Sequence, residues 1–324
     1  MLARHLSSRS TRLLRAASSL AHETPSDPLP SLSPTAQTVT TTQLMSLVDH
    51  VDSAKRLVVL TGAGISTASG IPDYRSPQGS YSRGHKPIQN MEFIKSESKR
   101  RRYWARSFVG WKYFSRARPN LAHLALAELE TCGRLDGGVV TQNVDGLHSQ
   151  AGQSTVVDLH GRIDEVHCLG CGERTPRRAL QDRLRSANDV WVAAMASRLS
   201  VPVELRADGD TELTEEECAA FAVPPCTSCG GVLMPGVTFF GGSVPKEKVE
   251  AASAAVASAD AMLVIGSSLQ VFSAFRLARQ AAERQIPILI LNNGPTRADE
   301  LVPPDMRLAC DACEVLPELL RYVQ

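Results

Sequence analysis

The sequence predicts an α/β protein whose Rossmann-like parallel sheet carries an inserted small zinc-ribbon module. Short apolar runs alternate with segments of helical periodicity, a pattern typical of a parallel sheet covered by helices on both faces. A glycine-rich loop at residues 62–66 follows the first of these runs, as in proteins that bind nucleotides. Two Cys-x-x-Cys pairs lie in a stretch with few apolar runs, which predicts a metal-stabilised insertion.

The sheet and its covering helices can be placed in chain order. A helix is expected over about residues 42–54, because Leu44, Leu47 and Val51 share one stripe. The apolar run from Leu57 predicts a buried strand that feeds the glycine loop. Further buried strands are expected at Gly138–Thr141, Val156–Leu159, Ala261–Ile265 and Ile286–Leu291. Helical patterns at 121–132, 247–258 and 272–284 separate several of them.

The zinc-ribbon module is predicted to span about residues 165–235. It would divide the Rossmann-like domain into the segments 42–164 and 236–324. Between the two cysteine pairs lies the acidic stretch DGDTELTEEE at 208–217, which we interpret as a solvated loop or the start of a helix.

The first 41 residues are predicted to be a mitochondrial transit peptide and a linker. The leader carries several arginines and serines before its first acidic residue, Glu23. This arginine-rich, acid-poor and amphipathic composition is typical of a mitochondrial address, and a disordered basic tail is the alternative. Residues 23–41 are rich in Pro, Ser and Thr, as linkers are.

Charge and hydropathy exclude several classes of function. The chain of 324 residues has 35 Lys plus Arg against 34 Asp plus Glu, so no overall field attracts nucleic acid or an acidic membrane. Few basic residues are clustered outside the leader and Lys99–Arg102, which argues against a zinc-ribbon protein that binds nucleic acid. No apolar run is long enough to predict a membrane span.

The glycine loop favours nucleotide binding without matching the dehydrogenase fingerprint. Glycines at 62 and 64 let the backbone approach phosphate oxygens. The fingerprint requires a third glycine where this chain has Thr67, so hydride transfer is disfavoured, and a plain tight turn is the alternative. Tyr74 and Arg75 follow: the ring could cap a planar group and the guanidinium could bind an anion, with packing and a surface ion pair as alternatives.

Polar residues follow two further predicted strands, at the sheet edge where α/β proteins build their sites. His160 follows the apolar run VVDL, and its imidazole could take a proton from a hydroxyl near neutral pH. Gln142, Asn143 and Asp145 follow the strand that ends at Thr141, and they could bind a carboxamide and a ribose. The alternatives are a structural histidine and ordinary turn formation.

Cys168, Cys171, Cys226 and Cys229 predict one structural zinc ion. Each pair places two thiolates on one knuckle, and two knuckles complete a tetrahedral site. Four thiolates close the coordination sphere, so this metal is not expected to activate water. The segment between the pairs exceeds the roughly 15–20 residues common in ribbons, which indicates an insertion between the knuckles.

These motifs together resemble the sirtuin family of NAD-dependent protein deacylases. GAGIS, GIPDYR, TQNVD, LHG, the cysteine pairs, PGVTFFG, GSSLQV and LNNGPT fall in that family's order. The resemblance covers about residues 45–320 and is greatest to the mitochondrial members of class II, with which the arginine-rich leader agrees. It implies NAD as a co-substrate, one structural zinc ion, and acyl-lysine proteins of the mitochondrial matrix as partners.

The resemblance also implies a role for each matching residue. His160 would be the general base, and the thiolates named above would bind zinc. The NAD-binding residues would be Gly62, Ala63, Gly64, Ser66, Ile71, Pro72, Asp73, Tyr74, Arg75, Gln142, Asn143, Val144, Asp145, Gly266, Ser267, Ser268, Asn292, Asn293 and Gly294, with Cys310 or Cys313 near adenine. Substrate would pair with a strand containing Val237, Phe239, Phe240 and Gly241.

The implied reaction removes an acyl group from a protein lysine, releases nicotinamide and leaves the acyl group on ADP-ribose. His160 would help to deprotonate a ribose hydroxyl during this transfer. Two other outcomes stay open at this point. The chain could transfer ADP-ribose to a protein, or it could sense NAD with little turnover.

The sequence departs from the family at the substrate side. Gly242 stands where many members have an acidic residue after the FFG motif, which puts recognition of ordinary acetylated peptides in doubt. Tyr74 stands where many members have phenylalanine. Tyr81 and Arg83 lie on the cofactor loop, and we expect them to help admit longer or acidic acyl groups, with a solvated loop as the alternative.

Overall fold

The computed structural model describes residues 38–200 and 204–323. The predicted transit peptide and most of the predicted linker lie outside these ranges. Among the residues described, no helix has both the length and the apolar character needed to cross a bilayer.

Nine strands occur in the described ranges: β1 (Leu57–Thr61), β2 (Val139–Thr141), β3 (Val156–Asp158), β4 (Gly161–Cys168), β5 (Arg174–Pro176), β6 (Leu233–Val237), β7 (Ala261–Ile265), β8 (Ile288–Leu291) and β9 (Arg307–Leu308). Six of them form an all-parallel sheet in the order β3–β2–β1–β7–β8–β9. With β4 to β6 set aside, this is the strand order of a Rossmann fold, as the sequence predicts. The last predicted strand begins two residues late, after Pro287, which has no N–H to donate to a ladder.

The helices are α1 (Thr41–Ser53), α2 (Asn90–Lys95), α3 (Glu97–Phe114), α4 (Leu121–Thr131), α5 (Leu147–Gln150), α6 (Arg177–Ala187), α7 (Asp189–Ala194), α8 (Ala196–Ser200), α9 (Glu215–Ala219), α10 (Lys246–Ser258), α11 (Phe272–Glu283) and α12 (Ala312–Leu319). The four predicted helices are confirmed as α1, α4, α10 and α11. Side-chain caps account for two of their starts, because Thr40 accepts a hydrogen bond from Gln43 N, and Asn120 accepts one from Ala122 N.

Two hydrophobic cores cover the faces of the parallel sheet. Alternate residues of β1 point to opposite faces, so Leu57 and Val59 pack with α1, α4 and α12, while Val58 and Leu60 pack with α10 and α11. All five residues of β1 are buried. Because helices cover both faces of the sheet, a binding site can form only at the loops that follow the strand ends.

A smaller unit is built around the antiparallel sheet β5–β4–β6. Its core also contains residues of α3, among them Trp104, whose indole N–H donates to the Leu233 carbonyl at 3.3 Å. The predicted module at 165–235 therefore omits α3, which precedes it in sequence but shares its core. Aromatic residues of α3 fill that core, and periodicity alone does not show which sheet they pack against.

The structure corrects the interpretation of the acidic stretch at 208–217, whose first half is not a solvated loop. Asp210 is buried between Arg106 and Arg206, each 3.6 Å from its carboxylate, and burial together with the charge of Asp208 raises the pKa of Asp210 to about 7. In the second half Leu213 is buried, while Glu215 and Glu216 start α9 and are exposed, as expected. The solvated loop was predicted from composition, but Arg106, distant in sequence, and Arg206, four residues earlier, pair with Asp210.

We expect Gly110→Ala to destabilise the protein, because the insertion packs directly on α3 at this residue. A Cβ on Gly110 would overlap the carbonyl oxygen of Gly209. Because the overlap is with backbone, the cost lies near the upper end of the about 1–3 kcal/mol of overpacking and exceeds the roughly 1 kcal/mol that the higher helix propensity of alanine offsets. Urea unfolding would measure the change, with the exposed Lys112→Ala on the same helix as control. Equal stability of Gly110→Ala and the wild type would contradict this packing.

Candidate active-site cleft and cysteine cluster

The loops at the carboxyl ends of the parallel strands meet at one edge of the sheet. The loops after β1 and β7 lie at the point where strand order reverses, and the loops after β2, β3 and β8 lie beside them. Together with the small unit they enclose a cleft of about 1310 Å³. This volume exceeds the roughly 300–1,000 Å³ of ordinary small-molecule sites, which suits a dinucleotide together with a second substrate.

Most of the residues named from the sequence line this cleft. Among the predicted NAD contacts, all except Pro72 and Cys313 do so, and Cys310 does. The predicted base and all four members of the substrate strand also line it. Tyr81 and Arg83 are not among the lining residues in the described ranges, and Arg83 pairs with Glu204 at 2.7 Å. Their effect on acyl selection stays a prediction.

Glycines let the two central loops come together. Gly62 N donates to the Ile265 carbonyl at 3.0 Å, and Gly64 N donates to the Gly266 carbonyl at 2.8 Å. A Cβ on Gly62 would lie 2.7 Å from the Cβ of Ser267, and one on Gly64 would lie 2.9 Å from Gly266 Cα. Gly266 has a φ of +59°, which L residues with side chains rarely adopt. The glycine N–H groups join the two loops, and the other amides of these loops are left to approach a pyrophosphate.

A hydrogen-bond network lies behind these loops, in the predicted nicotinamide pocket. Asn143 donates through its side-chain amide to the Gly62 carbonyl at 3.0 Å and to Ser66 Oγ at 3.1 Å. Ser66 Oγ donates to Asp145 at 2.8 Å. Burial raises the pKa of Asp145, although Leu147 N and Ser66 donate to its carboxylate. The network fixes the amide and carboxylate that would face a carboxamide and a ribose.

The hydrogen bonds of His160 determine its tautomer. Nδ1 lies 3.0 Å from the Gln142 carbonyl, which can only accept, so Nδ1 carries the proton. Nε2 is then the acceptor and receives the Ser273 hydroxyl at 2.8 Å. Burial lowers the pKa of His160, the bond to Gln142 opposes this, and the positive charge of Lys248 lowers it further. The ring is a neutral base with its lone pair on the cleft side.

Three side chains important to the cleft were not found from the sequence. Ser273 contacts the imidazole of His160, and Tyr103 and Asp208 line the cleft. Tyr103 comes from α3 and Asp208 from the insertion, far apart in sequence. No local motif marks any of them, because each acquires its place only through tertiary packing.

The cofactor loop is tied to the insertion by a chain of polar contacts. The Arg206 guanidinium donates to His85 Nδ1 at 2.8 Å, so His85 Nε2 carries a proton and donates to Asp208 at 3.1 Å. Ala207 N donates to Ser80 Oγ at 3.2 Å. His85, Asp208 and Asp210 lie close enough to share a cation, but the neighbouring arginines already supply the positive charge. These contacts place the insertion against the cofactor loop.

The four predicted zinc ligands form one cluster. The Sγ atoms of Cys168 and Cys229 are 3.4 Å apart, those of Cys171 and Cys226 are 3.8 Å apart, and all four lie within 4.8 Å of one another. Tetrahedral zinc with bonds of about 2.3 Å places its sulfurs about 3.8 Å apart, so the cluster fits this ion. Cys168 ends β4, and the second pair lies just before β6, so the metal would join the ends of two paired strands.

Comparison with known proteins gives the family. A profile of the Sir2 family matches residues 62–273. The chain belongs to the Sir2 family. This sirtuin is 51% identical over 267 residues to NAD-dependent protein deacetylase 2 of Bradyrhizobium diazoefficiens, covering 82% of this chain and 94% of the relative. It is 48% identical over 277 residues to the mitochondrial NAD-dependent protein lipoamidase sirtuin-4 of Bos taurus, covering 85% of each.

Solved structures agree with this assignment. A Sir2 enzyme with a p53 peptide and NAD+ matches with a TM-score of 0.66 and 28% identity, covering 86% of this chain and 97% of the other. A Sir2 enzyme bound to an acetylated peptide matches with a TM-score of 0.66 and 27% identity over the same shares. The sirtuin described here is therefore an NAD-dependent enzyme, and its cysteine cluster fits the structural zinc ion expected from the sequence.

We expect Cys171→Ser to release zinc and to destabilise the small unit, because the site loses one of its four thiolates. Metal analysis should fall from about one zinc ion per chain to nearly none. The matched control is Cys132→Ser, a partly exposed cysteine outside the cluster, which should keep its zinc. Full zinc content in Cys171→Ser, or no zinc in the wild type, would show that the cluster is not the metal site.

Proposed function

We propose that this sirtuin removes acyl groups from lysines of mitochondrial matrix proteins, releasing nicotinamide and O-acyl-ADP-ribose. The observation that carries the proposal is the neutral His160, whose unprotonated Nε2 faces the cleft close to the predicted nicotinamide pocket. The names of relatives support it: the bovine one is a mitochondrial protein lipoamidase and the bacterial one a protein deacetylase. The arginine-rich leader supports the mitochondrial address.

The residues that would bind NAD are distributed along the cleft. The N–H groups of Gly62, Gly64 and Gly266 are used in joining the strand ends, so neighbouring amides of the same loops, such as those of Ala63 and Ser267, would bind the pyrophosphate. Asn143 and Asp145 would bind nicotinamide and its ribose. Asn292 and Asn293 after β8 would bind the second ribose, and Cys310 beyond them would contact adenine. When bound, NAD supplies an electrophilic ribose carbon that has nicotinamide as its leaving group.

His160 would accept the proton of a ribose hydroxyl as that oxygen attacks the transferred acyl group. Its pKa is lowered by burial, so the imidazole is unprotonated and able to accept at neutral pH. The proton on Nδ1 stays bonded to the Gln142 carbonyl and fixes the ring plane. In the free enzyme Nε2 is occupied by the Ser273 hydroxyl, which must give up this position to the ribose.

The acyl-lysine would enter beside the end of β6. Val237, Phe239 and Phe240 line the cleft, and Phe240 forms a β-bridge with Gln89 on one side. An extended substrate could pair along the remaining edge. The acyl group would then point to the part of the cleft lined by Tyr103 and Asp208. The ring of Tyr103 suits an apolar acyl chain, while the carboxylate of Asp208 would disfavour an acidic one.

Incubation with NAD and a mixed acyl-lysine peptide library tests the proposal. We expect some peptides to lose their acyl mass in step with nicotinamide release. His160→Gln should lower kcat/KM about 10²–10⁴-fold while NAD still binds, because only proton transfer is removed. Transfer of ADP-ribose to protein, or no turnover by the wild type, would instead favour ADP-ribosylation or NAD sensing. Mass spectrometry of the products distinguishes these outcomes.

We also expect Ser273→Ala to move the pH profile of kcat/KM to higher pH. The Ser273 hydroxyl donates to Nε2 and so stabilises neutral His160. Without this hydrogen bond the pKa of His160 rises, so the imidazole becomes protonated, and unable to act as a base, at a higher pH than in the wild type. A hydrogen bond of ordinary strength predicts a shift of up to about one pH unit. Ser273→Thr, which keeps the hydroxyl, should retain the wild-type midpoint. Identical profiles for wild type and Ser273→Ala would contradict this role.

A further inference from the structure

One side of the cleft mouth carries cations and an aromatic ring. Phe272, Ser273 and Arg276 of α11 all line the cleft, because their spacing places them on one face of the helix. Ser273 contacts the catalytic imidazole, so this face begins at the reacting centre. Phe272 remains 53% exposed, which is high for a large apolar side chain beside a polar site.

Two arginines on this side of the cleft have no acidic partner in the described ranges. In the described ranges no acidic side chain pairs with Arg276 or Arg297, whereas Arg279 pairs with Glu283 at 3.3 Å. Arg297 follows β8, is exposed, and lies 4.2 Å over the Phe275 ring and 6.0 Å from the Phe272 ring. Stacking holds this guanidinium in place without using its N–H donors.

We propose that Phe272, Arg276 and Arg297 form a docking surface for an acidic segment of the acyl-lysine protein, next to the modified lysine. The inference rests on the proposed function and adds the chemistry of the substrate around its lysine. Guanidinium groups bind carboxylates through paired hydrogen bonds, and the exposed ring can cover the apolar part of an acidic side chain. The docking surface is continuous with the cleft, so one extended chain can contact both.

Electrostatics favour an anion at this position. Arg276 and Arg297 carry positive charge without an acidic partner in the described ranges, so either guanidinium can pair with a carboxylate of the substrate. Lys248 adds a third positive charge on the same side, since it acts on both Asp158 and His160. The chain as a whole is almost neutral, with a net charge of +1, so this local excess is not the general character of its surface.

The co-substrate is a less suitable occupant for these arginines. The loops after β1 and β7 meet without side chains at Gly62, Gly64 and Gly266, which leaves their remaining backbone amides for a pyrophosphate. Arg276 lies one helical turn beyond Phe272 and lines the cleft together with Val244 and Val249, none of which is a predicted NAD contact. Direct contact with NAD is therefore treated as an outcome of the experiment.

Three peptides with the same acyl-lysine and with aspartate, alanine or lysine on both flanks test the docking surface. For the wild type we expect kcat/KM to be highest for the aspartate peptide and lowest for the lysine peptide, by about three- to tenfold per step. Arg276→Glu should reverse this order, because its carboxylate repels aspartate and attracts lysine. Arg178→Glu on α6 makes the same charge change on an exposed residue away from the cleft and should keep the wild-type order.

Fluorescence anisotropy of labelled peptides, measured beside turnover, keeps the test independent of catalysis. Tighter binding of the aspartate peptide by the wild type, reversed in Arg276→Glu and weakened by salt, supports the docking surface even if no peptide is turned over. The lack of turnover would then count against the proposed function alone. The same peptide order in wild type and Arg276→Glu overturns the inference. A higher KM for NAD with every peptide also overturns it, because Arg276 would then serve the co-substrate.

Discussion

The contact between two backbone loops at the carboxyl edge of the parallel sheet determines where everything else in the cleft can lie. Gly64 and Gly266 are joined by a hydrogen bond of 2.8 Å, and neither has room for a Cβ. Any side chain there would separate β1 from β7 at their ends and move the amides away from a phosphate. Asn143 donates to the carbonyl of Gly62, so the neighbouring polar network depends on the same backbone position. Close packing of the sheet and access of the cofactor to the backbone therefore both require glycine at these positions.

His160 lies at the junction of the two structural units. The cysteine cluster can therefore affect the position of the proposed base through the backbone, although its metal takes no part in the reaction. The strand β3 of the parallel sheet ends just before it, and β4 of the small unit begins at Gly161 and ends at Cys168. Thr238 N donates to the carbonyl of His160 at 2.7 Å. A metal that joins the far ends of β4 and β6 keeps these strands paired. The pairing in turn holds the backbone of the base.

The features that could be predicted from the sequence depend on neighbours along the chain. Apolar runs predicted five of the six strands of the parallel sheet, and Cys-x-x-Cys spacing predicted all four members of the thiolate cluster. The features that could not be predicted depend on partners distant in sequence. Asp210 is acidic in a polar run, yet Arg106 of α3 makes it part of a buried cluster. Ser273 reads as an ordinary helix residue until β3 and α11 are brought to the same cleft.

Positive side chains of α10 and α11 would favour both the unprotonated state of His160 and the binding of an acidic substrate segment. A positive side chain near His160 disfavours the imidazolium and keeps Nε2 available, as Lys248 does. The same sign of charge would attract a carboxylate, so the side chains that keep Nε2 unprotonated would also favour the proposed substrate with acidic flanks. The two effects compete once that carboxylate is bound, because it would partly neutralise the field and let the imidazole pKa rise. A guanidinium at Arg276, one turn away from the contact with the imidazole, can bind the acid while Lys248 continues to act on the ring.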